Sequence, residues 1–316
     1  MKSDRFIGWD IGGTKSSAVV GTCGGEILAR RTWPSETSKG PEAMRGDFLA
    51  NLGALKERYG EFSAVGVSVG GPLDPNKGII HSPPHLPGWD DIPLLDLLRA
   101  ECGLPVVVEH DAAACLLAEH LWGGARAVSH AAYLTAGTGC GAGIMIGGKI
   151  LRGPSGQTAE IGHIRLSETG PVLYGKAGSV EAYCSGTGLA LLAHEMFPSV
   201  YPKTVSAKEI AEQSRQGNDL AKNVLLASAR GMGRTCALLG DLFSPQVILI
   251  GSLARYLPDF WMDRVREEFV REVLPQNGAR TRILPSELGD RLQDLSAIAP
   301  CVFAGGRPSN HHPHDP

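Results

Sequence analysis

Two short glycine-rich stretches of the chain have the composition of phosphate-binding turns. They are Asp10-Ile11-Gly12-Gly13-Thr14 and Gly137-Thr138-Gly139-Cys140-Gly141. Glycine allows several backbone N–H groups to point at one anion, because no side chain obstructs them. Either stretch alone is typical of any tight hairpin, but two of them, each with a threonine hydroxyl, predict a pair of phosphate cradles. The residues that we expect to contact phosphate are Gly12, Gly13, Thr14, Lys15, Gly137, Thr138 and Gly139.

Two aspartates stand where predicted strands end. Asp10 follows the strand Phe6–Trp9 beside the first turn, and a carboxylate in that position suits Mg²⁺ held largely through water. Asp111 comes after the apolar strand Val106–Glu109, at an edge of the sheet where α/β folds bind ligands. There it could accept a hydroxyl proton as phosphoryl transfer begins. An N-cap of the predicted helix Ala112–Leu121 explains the residue equally well, and both interpretations stay open.

Further polar residues lie in the middle of the chain. Glu160 and His163 belong to Gly156–His163, a run too rich in glycine to predict a helix, and Glu181 lies in another glycine-rich stretch. Carboxylates and imidazoles of this kind can bind sugar hydroxyls, although each of these residues alone is more often a plain surface residue.

The alternation of strands and helices predicts an α/β fold. Two domains are expected, because 316 residues exceed what one hydrophobic core usually serves. The strand, turn and strand of residues 6–20 recur in residues 132–146, which indicates a weak internal duplication. The other predicted helices are Pro41–Arg58, Gly186–Met196, Ala207–Arg215 and Leu220–Leu242, and the other strands are Ala64–Val69, Val247–Ile250 and Arg282–Leu284.

Composition disfavours several function classes. A net charge of −3 with 20% charged residues gives no support to nucleic-acid binding. No apolar span approaches about 20 residues, so we expect a cytoplasmic protein without a membrane partner. The seven cysteines are odd in number and include no Cys-x-x-Cys pair, so we expect buried free thiols. We expect the tail from Gly305 to be disordered, with His311, His312 and His314 solvated rather than bound to metal.

A rival interpretation starts from Gly66-Val67-Ser68-Val69-Gly70, which matches the Gly-x-Ser-x-Gly elbow of α/β-hydrolases. Ser68, Asp111 and His163 even occur in the order of such a triad. The elbow requires a helix after the serine, whereas Gly70-Gly71-Pro72 prevents one. The chain also lacks a Gly-x4-Gly-Lys-Ser/Thr loop and a Gly-x-Gly-x-x-Gly turn that opens a helix. Hydrolase, P-loop and dinucleotide folds are therefore disfavoured.

Together these motifs resemble the ROK family, the sugar kinases and related repressors of the actin-like ATPase fold. The matching segments run nearly from end to end: Asp10–Lys15, Gly70–Asp74, Leu86–Trp89, Glu109–Glu119, Gly137–Gly139 and Gly153–His163. The resemblance implies two actin-like ATPase (ribonuclease H-like) domains flanking an interdomain cleft. We expect a small N-terminal domain over residues 1–112, joined by a helix near residues 294–304. A large C-terminal domain would cover residues 113–293, and residues 305–316 would form the disordered tail.

The resemblance further implies ATP-dependent phosphorylation of a hexose or amino-sugar hydroxyl, with ATP and Mg²⁺ as cofactors. Asp111 would be the general base, and Asp10 would lie near Mg²⁺. Adenine would lie near Gly231–Arg234 and Gly251–Ser252. Relatives are commonly dimers or tetramers, and we expect a homodimer. The residues implied to contact the sugar are Gly71, His85, His110, Asp111, Glu160, His163 and Glu181.

The chain departs from the family pattern at three places. Where the family often binds zinc through one histidine and three cysteines, this chain has Val172–Glu181 without a cysteine. We therefore expect no structural zinc and an apolar or hydrogen-bonded replacement, since His163 alone cannot complete a four-ligand site. His85 and His110 replace two asparagines, which either re-aims the sugar contacts or leaves equivalent hydrogen bonds. Leu253 replaces the third glycine of the adenosine segment.

Two other functions remain as alternatives. Some members of the family are sugar-responsive repressors with a helix-turn-helix before the first cradle, but the nine residues before Asp10 are too few to form one. A non-catalytic sugar-binding relic is the second alternative, because the cysteines are lost and two histidines are new. Retention of Asp10, Asp111 and Glu160 argues against it.

Overall fold

The structure is a computed structural model and describes residues 4–305. Its strands are β1 (Arg5–Ile11), β2 (Lys15–Thr22), β3 (Ile27–Pro34), β4 (Val65–Val69), β5 (Leu73–Asp74), β6 (Ile79–Ile80), β7 (Ile92–Pro93), β8 (Val106–His110), β9 (Ala131–Leu134), β10 (Ala142–Ile146), β11 (Lys149–Ile150), β12 (Val172–Leu173), β13 (Lys176–Ala177), β14 (Val247–Ile250) and β15 (Arg282–Pro285). Its α-helices are α1 (Gly40–Tyr59), α2 (Leu94–Cys102), α3 (Asp111–Trp122), α4 (Val180–Cys184), α5 (Gly186–Met196), α6 (Ala207–Arg215), α7 (Asp219–Phe243), α8 (Leu253–Tyr256), α9 (Asp259–Glu272), α10 (Pro275–Gly278) and α11 (Leu292–Gly305). Short 3-10 helices cover Thr37–Lys39, Ile161–His163 and Gly289–Arg291.

Two five-stranded sheets carry the fold, and their strand orders are equivalent. The orders are β3-β2-β1-β4-β8 and β11-β10-β9-β14-β15. In each sheet the first three strands of the chain form an antiparallel meander. The last two strands run parallel to the first. The α/β class and the internal duplication predicted from the sequence are confirmed.

The first compact unit contains the residues up to Trp122, the segment Arg152–Gln157 and the residues from Asp290 onward. Its core combines side chains of β1, β4 and β8 with the apolar faces of α1 and α2. Trp9 of β1 stacks on Phe48 of α1 with 4.7 Å between the ring centroids. Alternate residues of β1 point to opposite faces of the sheet, so the other face needs a second cover.

Helix α11 covers that other face. A Cβ atom at Gly8 of β1 would lie 2.6 Å from the Cβ atom of Ala297, and one at Gly66 of β4 would lie 2.3 Å from its carbonyl oxygen. Glycine at both positions therefore lets the helix lie close to the strands. The helix predicted near residues 294–304 is this one, and it is slightly longer than predicted.

The second compact unit contains Gly123–Leu151 and Thr158–Gly289. Its core is built around α7, a helix of 25 residues that packs along α9. Glu268 of α9 is fully buried and accepts hydrogen bonds from Arg234 at 3.1 Å, Arg264 at 2.8 Å and Arg271 at 2.6 Å. Arg234 belongs to α7, so its bond to Glu268 ties the two helices together.

Several elements were not predicted from the sequence. They are β3, β11, the small sheet β5-β6-β7, the hairpin of β12 and β13, and helices α2, α4, α8, α9 and α10. The exact domain bounds, including the boundary at residues 112 and 113, stay a prediction. Gly305 ends helix α11, whereas residues 306–316 of the expected tail, with their three histidines, lie outside the described residues.

The rejection of a nucleophile elbow at Ser68 is confirmed, and one other expectation needs correction. Ser68 lies inside β4 with 1% of its surface exposed, and the short strand β5 follows instead of a helix, so it forms no nucleophile elbow. The seven cysteines are free thiols, as expected, but not all of them are buried: Cys23 is exposed, and Cys102 and Cys115 are partly exposed. Among residues 4–305 no helix is long and apolar enough to cross a membrane.

Candidate active site

The first glycine turn connects β1 and β2 and is shorter than predicted. Asp10 and Ile11 still belong to β1, where they pair with Ser17 and Ser16 of β2. The Gly12 N–H group donates to the Lys15 carbonyl oxygen at 3.1 Å, and a Cβ atom at Gly12 would lie 2.7 Å from that oxygen. Only glycine fits this position without moving the turn.

Neighbouring residues hold the same turn in place. The Ser35 N–H group donates to the Thr14 carbonyl oxygen at 3.0 Å, and its hydroxyl donates to the Gly12 carbonyl oxygen. Gly13 lies against His85, because a Cβ atom there would be 3.0 Å from the Cβ atom of that histidine. Lys15 is exposed at the beginning of β2. The turn is therefore a fixed feature of the first unit.

Asp10 is a carboxylate in an unfavourable environment. Its pKa is raised to about 7, chiefly by burial. The hydrogen bond from Gln293 and the charge of Arg30 lower the pKa, whereas the charge of Asp111 adds to the effect of burial. Gln293 Nε2, at the beginning of α11, donates to Asp10 Oδ2 at 2.7 Å. A cation bound at Asp10 would relieve the cost of its negative charge.

Asp111 is the first residue of α3, directly after β8. Its Oδ1 atom accepts the N–H group of the next residue, Ala112, at 2.6 Å, and its side chain is half exposed. A Cβ atom at Gly70 would lie 2.6 Å from His85 Cε1 and 3.7 Å from Asp111 Oδ2. One glycine after β4 therefore leaves room for an imidazole and a carboxylate together.

His110 completes this group. Its Nδ1 atom lies 3.3 Å from Asp111 Oδ1, and a Cβ atom at Gly71 would lie 3.0 Å from its Cδ2 atom. Burial lowers the pKa of His85, so its imidazole is neutral near pH 7 and offers one donor and one acceptor. The structure thus brings Gly71, His85, His110 and Asp111 together in the first unit.

Directly before these residues lies a buried ion pair. Glu109 is 3% exposed and forms a two-point contact with Arg152, whose Nη1 atom lies 3.0 Å from Glu109 Oε1 and whose Nη2 atom contacts Oε2. Glu109 Oε1 also accepts the His110 N–H group at 2.9 Å. The pair therefore fixes the end of β8 from which His110 and Asp111 extend.

The second glycine turn connects β9 and β10 and lines a cavity. Gly137 N–H donates to the Gly139 carbonyl oxygen at 3.0 Å, and the first N–H group of α5, from Gly186, donates to the Gly137 carbonyl oxygen at 2.7 Å. The cavity measures about 550 Å³ and is lined by the turn, by the first residues of α5 and α6, and by Ser252 after β14. A Cβ atom at Gly137 would meet nothing nearer than 4.0 Å.

The residues predicted near adenine do not share one cavity. Ser252 lines the cavity just described, but Gly251 packs against β9, where a Cβ atom would lie 2.2 Å from the Thr135 carbonyl oxygen. Gly231 and Arg234 line a different cavity of about 220 Å³, in which Gly231 packs on Tyr183. The glycines at 231 and 251 are explained by close packing.

Glu160, His163 and Glu181 lie near one another in the second unit. Glu160 and His163 are exposed at the two ends of a single 3-10 turn, so the sequence correctly predicts no longer helix there. Glu181 Oε2 accepts the Cys140 N–H group at 3.3 Å, which links this group to the second glycine turn. Burial raises the pKa of Glu181, Glu160 raises it further, and His163 and the bond from Cys140 lower it.

A two-residue hairpin occupies the stretch where the family pattern has cysteines. Strands β12 and β13 are joined by Tyr174 and Gly175, whose φ angles are 49° and 72°. Two positive φ angles are typical of a type I′ turn. Lys176 Nζ donates to the His163 carbonyl oxygen at 2.6 Å, and the two aromatic rings of His163 and Tyr174 lie 5.7 Å apart. Within residues 4–305, no group of three or more His, Cys, Asp or Glu side chains is arranged to hold a metal ion.

Sequence reasoning missed several residues of this site. Arg152 and Gln293 give no sequence signal, because their importance arises from partners 43 and 283 positions away. The hairpin of β12 and β13 also gives little sequence signal, because Tyr174-Gly175 is not one of the dipeptides typical of a two-residue hairpin turn.

Two α/β units with equivalent sheets, and a glycine turn after the first strand of each, define the class of actin-like ATPase folds. Residues 6–297 match the model of the ROK family. The chain is 31% identical to the glucokinase of Streptomyces coelicolor over 300 residues, which are 90% of this chain and 93% of that protein. The chain belongs to the ROK family.

Solved structures agree with this assignment. The ROK hexokinase of Thermus thermophilus is 30% identical, covers 95% of this chain and 99% of its own, and has a TM-score of 0.83. The Streptomyces griseus ROK glucokinase in complex with glucose and AMPPNP is 30% identical, covers 93% and 98%, and has a TM-score of 0.77. Similarity of this extent supports an ATP:sugar phosphotransferase of the EC 2.7.1 class.

Proposed function

We propose that this chain transfers the γ-phosphoryl group of ATP to a hydroxyl of a hexose or an amino sugar. The observation that carries the proposal is that two sheets of equivalent topology have different residues at their strand ends. The first sheet ends in Asp10 and Asp111 beside a glycine turn. The second sheet ends in an uncharged glycine turn that lines a cavity of about 550 Å³. Carboxylates are suited to metal binding and proton transfer, and an open N–H turn is suited to phosphates.

In the second unit, Gly137 and Thr138 are the residues that we assign to phosphate. The space of 4.0 Å around a Cβ atom at Gly137 lets an anion approach the backbone. The first residues of α5 and α6 line the same cavity, and the N-terminal ends of helices favour negative charge. We assign Ser252 to the adenosine part of ATP. In the first unit, Gly12–Lys15 forms the other phosphate contact of the proposal.

Asp10 is the residue that we assign to Mg²⁺, held largely through water. The fit rests on its raised pKa of about 7, since a divalent cation would stabilise the carboxylate that burial destabilises. Mg²⁺ supplies neutralisation of the charge that develops on the transferred phosphoryl group. Gln293 holds one oxygen of Asp10, which fixes the direction of the other.

Asp111 is the proposed general base. Its half-exposed carboxylate can accept the proton of a sugar hydroxyl while that oxygen attacks the γ-phosphorus atom. His85 and His110 flank it, and imidazole nitrogens can form hydrogen bonds with neighbouring hydroxyls. In the second unit, Glu160, His163 and Glu181 are the residues that we assign to sugar hydroxyls.

Structural zinc does not fit the described residues. The stretch Val172–Glu181 forms a hairpin that hydrogen bonds connect to residues 163–166, and it contributes no thiolate. No step of the proposed reaction uses zinc. A cytoplasmic location and a homodimer remain predictions from the sequence.

The test is an ADP-release assay with purified protein, ATP, Mg²⁺ and a panel of hexoses and N-acetylhexosamines. We expect at least one sugar to raise ADP release well above the rate with ATP alone. Asp111→Asn should lower kcat with that sugar by about 10²- to 10⁴-fold, the usual contribution of a general base, without altering the circular dichroism spectrum. Mass spectrometry of the product would identify the phosphorylated hydroxyl.

Two results would contradict the proposal. If no sugar of the panel stimulated ADP release, the relic function would be favoured, and sugar binding by calorimetry would then test it. If Asp111→Asn kept full activity with an identified sugar, the assignment of the base would be wrong even though the kinase activity stood.

A further inference from the structure

Tyr174 is an aromatic residue in a conformation that its side chain disfavours. It is the first residue of the two-residue turn between β12 and β13, and its φ angle is 49°. Residues other than Gly, Asn and Asp rarely adopt positive φ, because the Cβ atom then crowds the following carbonyl group. A strained residue at a turn tip is retained only where the surrounding structure or a function compensates for it.

The side chain of Tyr174 gains little from burial. Its exposed fraction is 66%, which is large for a tyrosine, and neighbouring Val172 is 59% exposed. The apolar cores of the chain do not include either residue. Packing within the described protein therefore does not account for an aromatic residue at a position that favours asparagine or glycine.

The surroundings of the ring are polar groups already assigned to sugar. The His163 ring lies 5.7 Å away at an interplanar angle of 52°. Burial raises the pKa of the Tyr174 hydroxyl, and the negative charge of Glu181 raises it further. Lys176, two residues after Tyr174, holds the backbone of His163 and thereby fixes the hairpin beside it.

We propose that Tyr174 is a further substrate-binding residue, whose ring packs against the C–H face of a pyranose held by His163 and Glu181. The inference rests on the proposed function. A pyranose has hydroxyl groups at its rim and an apolar face of C–H bonds, so one edge requires hydrogen bonds and one face requires an apolar partner. His163 and Glu181 supply the first, and a rigid aromatic ring supplies the second at little entropic cost.

The geometry also separates this role from a structural one. Asparagine is favoured at the first position of a type I′ turn, so Tyr174→Asn should keep or improve folding while removing the ring. Tyr174→Phe keeps the ring and the strain but removes the hydroxyl. If Tyr174 is needed for the structure, the Tyr174→Asn protein should be less stable than the wild type. If Tyr174 is needed for substrate binding, the same variant should bind sugar more weakly.

The experiment measures sugar binding by calorimetry without nucleotide, together with steady-state kinetics and the thermal midpoint. The probes are glucose, mannose, N-acetylglucosamine and N-acetylmannosamine. We expect Tyr174→Asn to raise the Kd and the KM for the best sugar about five- to tenfold, the effect of one aromatic contact, with an unchanged or higher thermal midpoint. Tyr174→Phe should remain within about twofold of the wild type, because the ring is retained.

A double-mutant cycle with His163→Asn distinguishes direct contact from an effect through His163. Direct contact predicts that Tyr174→Asn still raises the Kd in the His163→Asn background, because the tyrosine ring binds its own part of the sugar; coupling between the two neighbouring rings can change the size of the effect but does not abolish it. A loss from Tyr174→Asn that disappears in the His163→Asn background would show that the tyrosine only positions the histidine, and would overturn the proposal.

Other outcomes are equally decisive. An unchanged Kd in Tyr174→Asn, or an equal loss in Tyr174→Phe, would overturn the assignment of the ring. A wild-type protein that binds a sugar without phosphorylating it would refute the proposed function alone, and the Kd values would still decide the role of Tyr174. A wild-type protein that binds none of the four sugars would refute both.

Discussion

The two units repeat one sheet topology but carry different chemistry at the strand ends. In the first unit, Asp10 lies near the end of β1, and the glycines after β4 leave room for two imidazoles beside Asp111. In the second unit, the backbone of Thr135 fills the corresponding space beside Gly251, and Ser252 lines a cavity. A repeated framework thus fixes where turns occur, whereas the side chains at equivalent points differ, and with them the chemistry that we propose for each unit.

Buried carboxylates give the largest expected difference between the units. Glu109 of the first unit is paired with one guanidinium group, that of Arg152, whereas Glu268 of the second is bonded to three. Arg152→Met would leave Glu109 charged and buried, so we expect the free energy of unfolding to fall by about 3–5 kcal/mol. Arg271→Met should cost less than about 1 kcal/mol, because that arginine is exposed and two others remain.

Urea unfolding followed by tryptophan fluorescence measures both changes. The control is Glu109→Gln combined with Arg152→Met. This double variant removes the unpaired negative charge and should recover most of the lost free energy of unfolding. Equal effects of Arg152→Met and Arg271→Met would contradict the asymmetry between the two units.

Asp10 of the first unit should make the free energy of unfolding depend on pH. Its pKa is about 7 in the folded protein against 3.8 for the free side chain, so folding takes up a proton between these values. The free energy of unfolding should therefore fall as the pH rises from about 4 to about 7, by at most about 4 kcal/mol at 1.36 kcal/mol per unit. Asp10→Asn removes this dependence, so it should be more stable than the wild type at pH 8 and inactive.

Unfolding at pH 5, 6, 7 and 8 without Mg²⁺ checks the prediction for Asp10. A difference between variant and wild type that stayed constant over this range would show that the carboxylate does not titrate there. Repetition with Mg²⁺ should reduce the difference at pH 8, because a bound cation stabilises the charged form.

The two glycine turns should respond differently to alanine. Gly12→Ala places a Cβ atom 2.7 Å from a carbonyl oxygen, so we expect a loss of about 1–3 kcal/mol in stability along with activity. Gly137→Ala meets nothing within van der Waals range, so stability should be unchanged, while the KM for ATP rises about tenfold because the methyl group blocks the anion. Thermal midpoints and kinetics measure both variants, and a normal KM in Gly137→Ala would remove the second turn from the phosphate site.

His85 gives the smallest expected effect. Burial lowers its pKa, so the unfolded chain binds its proton more readily than the folded protein does. The free energy of unfolding should therefore fall as the pH drops below about 6.5, the ordinary histidine value. His85→Asn should flatten this part of the stability profile between pH 5 and 7. An identical slope in the variant would assign the acid sensitivity to another group.

The sequence predicted the central strands of both units and most of the long helices, because continuous apolar runs and helical spacing arise from local burial. Strand β3 was missed because its residues are half exposed and include Arg30 and Arg31, so it lacks an apolar pattern. Helix α9 did carry a signal, since Trp261, Val265 and Phe269 repeat every four residues and are buried. The many charged residues of α9 obscure that signal.

The candidate site was predictable only where a motif repeats the family pattern. Asp10, Asp111 and the two glycine turns follow from residue types at strand ends. Arg152 and Gln293 did not, because pairing with Glu109 and Asp10 depends on the tertiary fold. The predicted adenine segments stay a prediction, since a glycine needed for close packing looks the same in sequence as one that leaves space for a ligand.

Helix α11 also determines the order in which the two units can fold during translation. It lies directly on Gly8 and Gly66, yet it is the last described element to leave the ribosome. The strands of the first unit are synthesised early but remain uncovered on one face until residues near 300 emerge. The second unit is complete by Gly289 and can fold sooner. A nascent chain stalled before α11 therefore presents an open apolar sheet, the kind of surface that chaperones bind.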